Sequence, residues 1–149
     1  MSRDASDRLN WFQVGKPSSK VTFVGVHDRR TDYLEFRKRV LFTEDLDEEY
    51  IPDAMQYFRE EYEDSSEVVF VYTSDDMTWG QEKLKNEDNI FFAGCNQPKN
   101  PECIGRDFAL LSSCNHTIVT HGSFGLWAAF LAGGEIHTEY GAIIPEAYV

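Results

Sequence analysis

Val21-Thr22-Phe23-Val24-Gly25-Val26-His27 and Glu67-Val68-Val69-Phe70-Val71-Tyr72-Thr73 are apolar almost without interruption and rich in β-branched residues. A strand that alternates apolar and polar residues has one wet face. A strand that does not alternate is covered on both faces, as in a parallel sheet flanked by helices. Both stretches are therefore predicted to be buried parallel strands. Asn89–Gly94 (NIFFAG) and His116–His121 (HTIVTH) read as two shorter ones. Helical patterns lie between them. Ile51, Met55, Phe58 and Tyr62 recur at helical spacing, and Pro52 suits a first turn. Ser74-Asp75-Asp76 offers N-cap chemistry for a helix through Lys85. Asn96–Gly105, with two prolines, reads as a loop, and Asp107–Cys114 reads as a helix with Phe108 and Leu111 inward. Ser123–Ala132 is an apolar helix that Gly133-Gly134 should end. Four strands alternating with helices predict right-handed βαβ units, hence an α/β domain with a Rossmann-like parallel sheet and helices on both faces.

The 149 residues suffice for one domain with a sizeable core. We assign residues 21–149 to it and expect the polar segment 1–20 to be loose, with no signal peptide or anchor. The longest mostly apolar stretch, Phe124–Gly134, falls well short of the ~20 residues that span a bilayer. With 26 acidic and 14 basic residues the chain carries a formal charge of -12, which argues against nucleic acid and anionic membrane surfaces. A phosphate ester can still bind, through a local cluster of arginines or backbone N–H groups. Cys95, Cys103 and Cys114 lack metal-ligand spacing. They can be three free thiols, or Cys95 and Cys103 can bridge in an oxidising compartment. Asp45-Leu46-Asp47 lies in an acidic run and reads as solvated surface rather than a metal–nucleotide motif. Asn115-His116-Thr117 is a glycosylation sequon.

Open parallel sheets bind ligands outside the carboxyl ends of their strands. The unusual polar residues fall there: His27-Asp28-Arg29-Arg30-Thr31-Asp32 after the first strand, Ser74-Asp75-Asp76 after the second, and His121-Gly122-Ser123-Phe124-Gly125 after the fourth. A guanidinium presents a fixed fork of donors that suits phosphate oxygens. Arg29 and Arg30 are thus an anion-site candidate, with an ion pair to Asp28 or Asp32 as the alternative. Gly122 allows an anion to approach the helix N-terminus, and Ser123 can either cap that helix or donate to phosphate. His27 is an acid–base candidate or the satisfied partner of an Asp. Asp107 is a candidate for hydrogen bonding to a nucleobase or ribose. GxSxG, the P-loop pattern and GxGxxG are all absent.

VGVHDRRTDY at residues 24–33 resembles the HxRR motif of fucosyltransferases that use GDP-fucose. YTSDDMTW at 72–79 and DFALLSSCNHTIVTHGSFGLWAAFLAGG at 107–134 resemble the α-1,2-fucosyltransferases, glycosyltransferase family eleven. The resemblance, over roughly Val21–Gly134, implies the nucleotide-sugar lobe of a GT-B-like inverting transferase that needs no catalytic metal or other cofactor. It implies Arg29 on the donor pyrophosphate, with Arg30 supporting it. It implies His27 and Asp107 on the guanosine part, Gly122, Ser123 and Phe124 at the phosphate, and Asp75 and Asp76 near the nucleoside. GDP-fucose and a β-galactoside-terminated glycan would be the substrates, and Arg29, Asp32 and His27 the catalytic candidates. Asp28 stands where relatives usually carry an apolar residue, but strand alternation turns it away from His27 and Arg29. Thr31 replaces a usual glycine. The family's N-terminal lobe, stem and anchor are not found in this sequence, so the chain reads as part of a longer enzyme resident on the luminal side of the Golgi membrane. The alternative is a GDP-sugar-binding lobe without transferase activity of its own.

Overall fold

The computed structural model describes residues 20–97 and 99–144. The segment expected to be loose lies outside the described residues, apart from Lys20. The sheet has six strands: β1 (Val21–Asp28), β2 (Glu67–Ser74), β3 (Ile90–Phe92), β4 (His116–Val119), β5 (Ile136–Thr138) and β6 (Gly141–Ile143), in the order β3-β2-β1-β4-β5-β6. The first five strands pair in parallel, and β6 returns antiparallel to β5. All four strands expected from the sequence form, with ends shifted by a few residues.

Alternation along β1 and β2 assigns side chains to two layers. Val24, Val26, Val68, Phe70 and Tyr72 meet Ile51, Met55 and Phe58 of α2 (Tyr50–Tyr62) and Met77 of α3 (Met77–Lys83). Phe23, Val69 and Val71 meet Leu110 of α4 (Pro101–Leu111) and Cys114 on the opposite face. Val119 and Ile136 pack on Ala129 of α5 (Ser123–Ala132). The inner side of α5 is built from Gly125, Ala128 and Ala129, whose small size lets the helix lie close to the sheet. Gly133 ends α5 in the left-handed region, at φ 81°.

One helix is new and two expectations change. Residues after β1 form a helix, α1 (Thr31–Phe36), continued by a π-helical turn, Arg37–Leu41. The stretch Asn96–Gly105 is not all loop. Asn100 caps α4, its side chain accepting from the Glu102 amide at 3.1 Å, and Pro101 occupies the first turn, where its missing N–H costs nothing. Asp107 therefore lies within α4 instead of beginning it, and the helix ends at Leu111, short of Cys114.

Candidate functional site

The connections run outward from β1 to β3 and then return to β4, so the topology reverses between β1 and β4. A crevice opens at the carboxyl ends of strands at such a point. Here it is a cavity of about 510 Å³ lined by His27, Arg29, Tyr33, Asp75, Asp107, His121 and the turn Gly122–Phe124, among others. The rim clusters after β1, β2 and β4 thus converge on one space.

Gly122 sits at φ 82°, a conformation glycine reaches without strain, and it serves as the N-cap of α5. No side chain caps this helix, so Ser123 is its first residue and not its cap. The first-turn N–H groups are left for a partner at the positive end of the helix dipole. The Phe124 ring lies 5.0 Å from His27 and 5.3 Å from Phe108, between the cavity floor and α4.

Arg29 stands at the cavity edge with 37% of its side chain exposed. It contacts Asp32 at 2.7 Å and Asp75 at 3.2 Å, and Asp32 itself is 76% exposed. The Arg29 amide donates to Thr120 Oγ1 at 2.9 Å, tying the end of β1 to β4. Asp75 is more constrained. It accepts from the Arg30 amide at 2.8 Å and from the Thr31 hydroxyl. Asp107 accepts from the Cys95 amide at 3.1 Å through both oxygens. Cys95 and Cys103 form a disulfide that joins the β3–α4 loop to α4 at this wall. Of the two states left open by the sequence, three free thiols or a Cys95–Cys103 bridge, the bridge is the one formed. Cys114 is free and buried, and burial pushes its thiol up to about 12, so it stays protonated at neutral pH.

His27 is 6% exposed, on the α4–α5 side of β1. Its Nδ1 is buried without a hydrogen-bond partner, against Gly125, so a ligand contact by this ring has to use Nε2. Burial lowers its pKa to about 4, outweighing the attraction of Asp75, with Arg29 and His121 lowering it further. The ring is neutral at pH 7.

Asp28 points to the other face, as alternation requires. It accepts from Tyr72 Oη at 2.8 Å and meets Arg30 at 3.6 Å. Burial holds its carboxyl above the usual range despite both partners. The Arg30 guanidinium lies 3.4 Å from the Trp79 ring centroid, a cation–π contact, and neither residue lines the main cavity. Asp76 is likewise turned to structural work, accepting from the Trp79 amide at 3.2 Å as the N-cap of α3. The structure therefore brings His27, Arg29, Asp75, Asp107, Gly122, Ser123 and Phe124 together, and it places Arg30, Asp76 and the Asp32 carboxylate outside the cavity wall. Asn115 is exposed, its Oδ1 accepting from the Phe23 amide at 2.8 Å, whereas Thr117 of the sequon is fully buried in β4. In the acidic run, Asp45 pairs with Lys38 at 3.0 Å and Asp47 accepts from the Glu49 amide.

Sequence reasoning missed Tyr33, Phe36, Gln97 and Ile104 in the wall. Tyr33 was legible only as part of a motif, because α1, which carries it inward, has no buried residue and hence no apolar stripe to announce it.

A family profile for glycosyl transferase family 11 matches residues 4–140. The chain is 44% identical over 133 residues to galactoside alpha-(1,2)-fucosyltransferase 2 of Pongo pygmaeus, covering 89% of this chain and 37% of that protein. It is 41% identical over 137 residues to galactoside alpha-(1,2)-fucosyltransferase 1 of Rattus norvegicus, covering 91% and 35%. It is 40% identical over 137 residues to galactoside alpha-(1,2)-fucosyltransferase 1 of Homo sapiens, covering 91% and 36%. The chain thus spans little more than a third of the length of these relatives.

Proposed function

As the chain belongs to glycosyl transferase family 11, we propose that it is the donor-binding lobe of a galactoside 2-α-L-fucosyltransferase. The enzyme would transfer L-fucose from GDP-β-L-fucose to the 2-hydroxyl of a terminal β-galactoside with inversion. The observation that carries the assignment to this lobe is the cavity at the β1–β4 reversal, with a half-exposed Arg29 on one side and the uncapped start of α5 on the other.

In this reading the acceptor oxygen attacks the anomeric carbon, the bond from that carbon to the β-phosphate oxygen breaks, and GDP leaves with the electron pair. Negative charge grows on the diphosphate. Arg29 and the first-turn amides of α5 supply donors on that side, and donors aimed at developing charge lower the barrier. Arg29 can turn to phosphate because its shortest contact, to Asp32, is an exposed pair of low worth, and Asp75, its other partner, keeps the Arg30 amide and the Thr31 hydroxyl when the guanidinium moves. Asp75 and Asp107 are carboxylates of the wall and fit ribose hydroxyls or the N–H edge of guanine. The acceptor proton needs a base, for which neutral His27, in the wall, and Asp32, on the rim, are the candidates. Positive charge comes from the chain itself, so the reading needs no metal.

The Cys95–Cys103 disulfide supports maturation in an oxidising compartment, consistent with a full-length enzyme on the luminal side of the Golgi membrane. No helix among the described residues is long and apolar enough to cross a membrane. The test is calorimetry of GDP with this chain, followed by mass spectrometry of a β-galactoside incubated with GDP-fucose and the full-length enzyme. Saturable GDP binding and an α-1,2-fucosylated product are expected, and failure to bind GDP refutes the donor-lobe assignment.

A further inference from the structure

A second cavity, of about 350 Å³, adjoins the first and shares Tyr33, His121 and Gly122 with it. Its remaining wall comes from the π-helical turn, the end of β4, α5 and the β5–β6 hairpin. Within this wall Arg37, 6% exposed, donates to both oxygens of Glu139 at 2.8 and 3.3 Å and to the His121 ring at 2.8 Å. The Tyr33 ring stacks on His121 at 5.1 Å. Leu41, Leu126, Tyr140 and Ile143 also line the cavity and are exposed, Tyr140 by 87%.

The chemistry of this wall differs from that of the first cavity. The charge of Arg37 is cancelled by Glu139 beside it, so the wall presents hydrogen-bonding atoms without a net cation. That disfavours a phosphate and suits a neutral polyol. Glu139 keeps acceptor capacity, because a carboxylate has about four lone-pair sites and Arg37 uses two. Its side chain is 15% exposed and lines the cavity. Aromatic and aliphatic surfaces beside a few placed polar groups are the usual make-up of a small-molecule site, and the volume is at the small end of the ~300–1,000 Å³ range. It fits a single sugar ring rather than a nucleotide.

We propose that this second cavity is the subsite for the acceptor's terminal pyranose, with Glu139 accepting from its hydroxyls and Tyr140 and Leu126 against its C–H face. The inference rests on the first cavity being the donor site. The shared wall of Tyr33, His121 and Gly122 then becomes the place where the fucosyl carbon and the acceptor hydroxyl meet. Arg37 is a positioning residue, holding Glu139 in place.

The probe is methyl β-D-galactopyranoside, followed by saturation-transfer NMR on this chain, with GDP titrated separately by calorimetry. The wild type should transfer saturation to the sugar. Tyr140→Ala and Glu139→Gln should lose most of that signal while GDP affinity stays unchanged. In the full-length enzyme the same variants should raise the galactoside KM by about tenfold, with the KM for GDP-fucose unmoved. Tyr140 is outside the Arg37 cluster, so its variant keeps the test valid if Glu139→Gln does not fold. A sugar signal or galactoside KM indifferent to Tyr140→Ala overturns the subsite. A chain that binds the sugar but not GDP would instead overturn the donor reading.

Discussion

Arg29 and Arg37 both follow β1 and both touch carboxylates, yet their surroundings assign them opposite roles. Arg29 has 37% of its side chain in solvent, and one of its two partners, Asp32, is 76% exposed. Arg37 is closed in by Glu139, by the His121 ring and by the Glu44 carbonyl, which accepts from its Nε at 3.1 Å. A half-exposed guanidinium can exchange a weak partner for a ligand. A buried one held by three partners cannot leave without stranding the carboxylate it neutralises. Each arginine also helps hold a histidine neutral, Arg29 for His27 and Arg37 for His121, although burial is the larger cause in both. Location in the sequence says nothing of this difference; burial and partner number decide it.

The comparison breaks first if Arg37 proves dispensable. Arg37→Ala removes the ion pair of Glu139, a carboxylate only 15% exposed, and the donor to the His121 ring, and we expect a loss of about 2–3 kcal/mol in urea denaturation. Arg29→Ala should cost less, about 0.5–1.5 kcal/mol, because the Asp75 carboxylate, 7% exposed, loses one ion pair but keeps the Arg30 amide and the Thr31 hydroxyl. Its larger cost should appear in calorimetry, as about 1.5–3 kcal/mol of GDP affinity. Arg29→Lys should rescue poorly, since the fork of donors is lost. Equal effects of the two alanine variants on stability would erase the distinction. Gly125→Ala probes the packing of α5 on the His27 ring. A Cβ there would lie 2.5 Å from His27 Nδ1, so the ring must shift. Overpacking of this kind costs about 1–3 kcal/mol, and GDP binding should weaken with it.

Acid should act on both regions together. His27 binds its proton at about pH 4 in the fold against 6.5 in the free side chain, and the pKa values of His116, His121 and His137 are lowered by burial as well. Between these values the unfolded chain holds more protons than the folded one, so stability rises with pH there. The stability tied to His27 is complete above about pH 6.5 and is lost as pH falls toward 4. Asp28 has the opposite sign. Its raised pKa means that the fold holds the extra proton, so its contribution falls as pH rises above 3.8. The histidines dominate from pH 7 to 5, and thermal melts over that range should show a falling midpoint. A flat profile would mean that the rings are not neutralised by burial. The smallest effect expected is none at all: EDTA should leave GDP binding unchanged. Loss of binding restored by manganese would replace Arg29 and the α5 amides with a metal as the source of positive charge.

The strands and α5 were legible because their signals are local. An unbroken β-branched run needs cover on both faces, and period-two alternation separates His27 from Asp28 whatever the rest of the chain does. The C-terminal glycine of α5 and the Asp76 cap of α3 are equally local. Only tertiary structure decided the remainder. Residues in α1 bury nothing, so no periodicity marks that helix, and the loop reading of Asn96–Gly105 failed because a proline at a helix start looks like one in a loop. Arg30 left the cavity for Trp79 and Asp28, a choice that depends on where α3 packs. Glu139 reaches Arg37 across the edge of the sheet, from a hairpin far away in sequence. Motif spacing can place a charge on a strand end, but the burial and partners that set what the charge does come from segments distant in the chain.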